Sequence, residues 1–102
     1  MADHTKATNL ADLTPGNRVE IEIEGKAIAL CNVDGAVYAL DNTCAHNGGP
    51  LSQGDLKDNV ITCPWHAWEY DVKTGACLGR GNVKLATYPV QIEEDGTIKV
   101  AV

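Results

Sequence analysis

Arg18-Val19-Glu20-Ile21-Glu22-Ile23-Glu24 alternates charged with apolar residues through its whole length. Side chains that change face at every step belong to a strand buried on one side: Val19, Ile21 and Ile23 point one way, and Arg18, Glu20, Glu22 and Glu24 the other. Glu24-Gly25-Lys26 then turns the chain into Ala27 to Val33, Asp34-Gly35 turns it again, and Ala36 to Leu40 returns. Residues 18–40 therefore read as a three-stranded meander. A second hairpin closes the chain, with Tyr88, Val90 and Ile92 alternating before the Asp95-Gly96 turn and Ile98, Val100 and Val102 after it. Between the two lies Thr43 to Asn82, rich in Gly and Pro, whose strand signals, such as Val60 to Cys63, are short. No window has convincing helical periodicity, and no internal repeat or linker is visible. The expected fold is all-β, a small antiparallel sandwich or barrel formed as one domain over residues 1–102, with the middle region as a functional insert at one end.

That insert carries two short stretches, Cys44-Ala45-His46 and Cys63-Pro64-Trp65-His66, each pairing a thiol with an imidazole. Turn formers accompany both: Gly48, Gly49 and Pro50 follow the first, and Pro64 lies inside the second. Two loops closing on one inorganic centre explain the pattern. Zinc is the ordinary partner of two cysteines and two histidines, but its familiar spacing keeps like with like. Here each pair is mixed, which suits a two-iron centre in which each loop gives its Cys to one iron and its His to the other.

Composition narrows the partners. The 102 residues are 44% hydrophobic, and 8 basic residues against 14 acidic ones give a net charge of −6. Such a surface repels phosphate backbones and anionic lipid, so neither nucleic acid nor a membrane is an expected partner. The first residues lack a basic stretch followed by an apolar one, and no run approaches the ~18 apolar residues of a membrane span, so a cytoplasmic setting is expected. Two disulfides are the other use of four cysteines in a short chain, but they belong to exported proteins and do not require histidines at ligand spacing.

In Cys44-Ala45-His46-Asn47-Gly48-Gly49-Pro50-Leu51-Ser52-Gln53-Gly54, Cys63-Pro64-Trp65-His66, Tyr70-Asp71 with Thr74-Gly75, and Leu85 with Tyr88-Pro89-Val90, the chain resembles the Rieske [2Fe-2S] ferredoxins that serve bacterial ring-hydroxylating dioxygenases. The resemblance implies one Rieske [2Fe-2S] cluster, with Cys44 and Cys63 on the iron that stays ferric and His46 and His66 on the iron that takes the electron. It further implies a carrier that is not itself an enzyme. Such a carrier takes electrons from a flavin-dependent reductase and passes them to a terminal oxygenase by brief contacts, and a monomer is expected.

Two thiolates leave an oxidised cluster neutral where four would leave it at −2, so histidine ligation raises the potential, to roughly −150 to +300 mV against about −400 mV for four cysteines. High-potential Rieske proteins add a Cys to each loop, bridged as a disulfide; the matching positions here hold Gly49 and Trp65. They also direct Ser and Tyr hydroxyls at the cluster; here Trp68 replaces the Ser while Tyr70 keeps the Tyr. The expectation is the low part of the range. One departure from the dioxygenase ferredoxins is Gly79-Arg80-Gly81-Asn82-Val83, where they carry a proline-bearing loop.

Other residues receive simpler readings. Trp65 and Trp68 flank His66, and one is expected to shield the cluster while the other anchors the loop. Cys31 shares a strand face with Ala29 and Val33 and reads as a buried small thiol, as does Cys77 after its turn. His4 stands alone near a terminus expected to be mobile and is given no role. Acidic Asp41, Asp55, Glu69 and Asp71 surround uncharged ligand tips, as suits salt-sensitive encounters. Two rival readings are a small Rieske-like subunit of an assimilatory nitrite reductase and a zinc-binding interaction module.

Overall fold

A computed structural model describes residues 4–44, 49–65, 68–79 and 83–101. Its middle layer is the expected meander with one addition: β2 (Arg18–Ile23), β3 (Lys26–Val33) and β4 (Ala36–Asp41) pair in sequence, and the short β8 (Thr87–Tyr88) joins β4. Glu24 and Gly25, and likewise Asp34 and Gly35, all have positive φ, the conformation whose twist suits a tight hairpin. The strands β9 (Val90–Ile92) and β10 (Thr97–Ala101) form the closing hairpin, and Val102 lies outside the described residues.

The N-terminal segment is not the loose end that its sequence suggests. His4–Asn9 is a strand, β1, paired antiparallel with β10 from His4 opposite Ala101 to Asn9 opposite Thr97. Its composition hides this because backbone pairing holds it, and Ala7 packs on the core. The middle region also holds more order than its short apolar runs imply. The strands β5 (Asp55–Lys57), β6 (Val60–Thr62) and β7 (Glu69–Asp71) make a third antiparallel sheet. They send Leu56, Ile61 and Tyr70 inward and leave Asp55 and Glu69 exposed.

Two cores lie on opposite faces of the middle sheet. Ile28 and Leu30 of β3 pack with Ile98 and Val100 of the terminal sheet. Ala29 and Cys31, one step out of phase, pack with Ile61, Tyr70, Leu51 and the remaining cysteines. This two-sided burial explains why Ala27 to Val33 reads as a nearly unbroken apolar run. Fully burying one Ile or Leu in either core contributes about 1.5–3 kcal/mol. The core containing Tyr70 is the one beneath the cysteine-bearing loops.

Candidate metal centre

Each candidate loop begins at its cysteine and is closed in the same way. The Cys44 amide donates to the Gly49 carbonyl at 2.9 Å, and Thr43 and Pro50 form a bridge just outside it. The Cys63 amide donates to the Trp68 carbonyl at 2.8 Å, where β6 meets β7. Both cysteines are thus the last residues of an ordered backbone ladder, with their side chains buried at the top of the core. Arg18 ties this end to the middle sheet, its Nε donating at 2.8 Å to the carbonyl of Gly54 just before β5. Gly54 also lets β6 pass close by, because a Cβ there would collide with the Thr62 carbonyl oxygen.

The structure brings together Cys44, Cys63, Tyr70 and Trp65. The Tyr70 hydroxyl, fully buried, lies 3.3 Å from Cys44 Sγ, so a residue of the second hairpin reaches the cysteine of the first loop. The Cys63 thiol is pushed above its ordinary range, first by burial; the backbone N–H of Trp65 hydrogen-bonds it and pulls the other way, and the adjoining Cys44 side chain raises it further. Two adjacent buried thiols are costly to ionise alone, and a cationic centre between them removes that cost. The donor set therefore fits a thiolate-bound metal cluster. Among the described residues no group of three His, Cys, Asp or Glu stands together for a metal ion. His46 and His66 both lie outside them, in residues 45–48 and 66–67.

The two tryptophans separate. Trp65 is 56% exposed, whereas Trp68 is partly buried against the core under the loops. Leu78 is another large apolar side chain left exposed, and its amide bonds the Glu69 carbonyl, so the end of the third sheet carries apolar surface next to acid. Of the departing segment, Gly79 and Val83 are described and Arg80, Gly81 and Asn82 are not. Cys31 and Cys77 are buried in the same core. Burial drives the Cys31 thiol up to about 12, with the nearby Arg18 charge opposing, which leaves it inert. No helix of the described residues is long and apolar enough to cross a membrane.

Residues 3–89 match the Rieske [2Fe-2S] domain. The chain belongs to the Rieske family. A Rieske domain of this kind carries one [2Fe-2S] cluster. The chain is 42% identical over 88 residues, 85% of each protein, to the ferredoxin component of the naphthalene 1,2-dioxygenase/salicylate 5-hydroxylase systems of a Ralstonia species. Its fold superimposes with a TM-score of 0.88 and 31% identity on a chain in the complex of reduced oxygenase and oxidised ferredoxin of carbazole 1,9a-dioxygenase, covering 96% of this chain and 92% of that one. It also matches a chain described as a nitrite reductase small subunit from Mycobacterium tuberculosis, at a TM-score of 0.91 and 27% identity, covering 100% and 96%. These likenesses agree with the all-β architecture expected from alternation alone. Sequence reasoning missed Asn42, a buried amide two residues before Cys44. Its signal, a lone Asn beside a turn-rich stretch, does not differ from that of an exposed loop residue.

Proposed function

We propose that this protein is a one-electron carrier whose cluster is held by Cys44, His46, Cys63 and His66, filled by a flavin-dependent reductase and emptied by the terminal oxygenase of a ring-hydroxylating system. The observation that carries the proposal is the pair of adjacent buried thiols at matched loop entrances. When bound, the cluster supplies a centre that gains and loses a single electron. The protein's own residues set the terms of that exchange. Cys44 and Cys63 give two thiolate charges, and the Tyr70 hydroxyl and the Trp65 amide donate toward their sulfurs, easing added negative charge. Trp68, Leu51 and Leu85 keep water from the loop bases. Trp65 offers an exposed apolar contact in the Cys63 loop, and acidic Asp55 and Glu69 stand exposed on the third sheet on either side of Thr62. The chain does no substrate chemistry of its own, and the proposed setting is the cytoplasm.

The nitrite reductase reading rests on the solved structure described above, and the presence of all four Cys and His residues in the sequence favours a carrier. Electron paramagnetic resonance of the dithionite-reduced protein tests the proposal. A Rieske-type signal is expected, and its absence after anaerobic reconstitution defeats the assignment. In His66→Cys the signal should change; an unaltered spectrum removes His66 from the ligand set. A colourless protein containing zinc would support the interaction module instead.

A further inference from the structure

Two polar side chains are buried among the described residues, Asn32 and Asn42. Asn32 serves the fold: its Nδ2 donates to the Leu13 carbonyl and its Oδ1 accepts from the Gly35 amide, both at 2.8 Å, far along the chain from either loop. Asn42 is 3% exposed and stands two residues before Cys44. Its amide donates to the Ala27 carbonyl at 3.0 Å, anchoring it to the start of β3. Its carbonyl accepts from the Leu51 amide at 2.7 Å, and its Oδ1 accepts from the Ser52 amide, also at 2.7 Å. One residue thus holds both ends of the first loop, its own entrance and the 3-10 turn Leu51–Gln53 at the exit.

We propose that Asn42 is a positioning residue for the cluster, whose side-chain oxygen fixes the span between the Cys44 entrance and the Ser52 exit and so the placement of whatever the loop carries. The inference rests on the carrier reading above and concerns a residue to which that reading gives no task. Backbone bonds close the loop mouth at Thr43–Pro50 and Cys44–Gly49, and the Asn42 side chain extends that closure one residue further, to the Ser52 amide in the exit turn. An apolar side chain of similar size would fill the space and still leave the half-buried Ser52 amide without this acceptor. Loosening a group behind a metal ligand usually weakens metal retention by about tenfold to a hundredfold.

The experiment compares Asn42→Leu, which removes the acceptor, with Asn42→Asp, which keeps an oxygen at the same place. Each is reconstituted and followed by far-UV circular dichroism, chelator-driven cluster release, paramagnetic resonance and peptide-level hydrogen exchange over residues 42–53. Asn42→Leu should remain folded, release its cluster about tenfold faster, the low end of that range, show shifted g-values, and lose protection at residues 51 and 52. Asn42→Asp should restore release rate and protection. Wild-type release and g-values in Asn42→Leu, with Ser52 protection lost, overturn the proposal. If Asn42→Leu does not fold, Asn42→Ser takes its place. Failure of both while Asn42→Asp folds assigns the residue to the fold alone and likewise overturns it. A wild type with no Rieske signal defeats the underlying reading instead, so the two failures are separable.

Discussion

Replacing Tyr70 by Phe removes one oxygen and leaves the ring fully buried in the core it shares with Ile61 and Cys77. The lost atom is the hydroxyl 3.3 Å from Cys44 Sγ. A hydrogen bond to a charged group contributes about 1.5–3 kcal/mol. Only the part that strengthens on reduction affects the potential, and because the added electron is shared across the cluster, that part is taken as about 1 kcal/mol, the net worth of an ordinary hydrogen bond. At about 59 mV per tenfold for one electron, with a tenfold ratio worth about 1.4 kcal/mol, the midpoint of Tyr70→Phe should fall by about 40 mV. Protein-film voltammetry at neutral pH measures it directly, and the unchanged ring should leave folding and cluster content intact. A midpoint within about 10 mV of wild type, or a rise, would show that the hydroxyl does not favour the reduced state.

Charge reversal at Asp55 and Glu69, which flank Thr62 in register on the exposed face of the third sheet, should slow electron delivery to the true partner at low salt and converge with wild type at high salt. Equal stopped-flow rates at low salt would leave their acidity a matter of solubility. Gly54→Ala puts a methyl group against the Thr62 carbonyl and should cost about 1–3 kcal/mol or more; a melting temperature equal to wild type refutes the close approach. Tyr88 donates to Asp41 at 2.5 Å, and burial first and this carboxylate second push its phenol up to about 12. The stability it lends is whole below the unfolded value near 10 and disappears as pH rises through 12, because the unfolded chain gives up that proton first. Ultraviolet titration should show a late phenol component that is lost in Tyr88→Phe; a titration unchanged by that substitution at high pH contradicts the contact.

The parts legible in the sequence were those where a side chain's neighbours are local. Glu20-Ile21-Glu22-Ile23 and the Asp34-Gly35 turn specify a strand and a hairpin without outside help, and mixed Cys and His pairs at close spacing pointed to a metal without any knowledge of the fold. Strand β1 was hidden because its stability comes from backbone pairing with residues far along the chain. The third sheet was hidden because its strands are short and each offers one inward side chain. Tyr70 entered through family likeness, since its reach to Cys44 depends on a fold that brings the second hairpin against the first loop. Asn42 had no such route, because nothing local shows that its side chain is buried.

The division of β3 between two cores has an evolutionary consequence. Adjacent positions on one strand answer to different selection: Ile28 and Leu30 face the remote half of the molecule, and Ala29 and Cys31 face the half that carries the electron. Drift toward a hotter or colder habitat can proceed at the first set while the redox properties remain sheltered, whereas a change at the second set alters both at once.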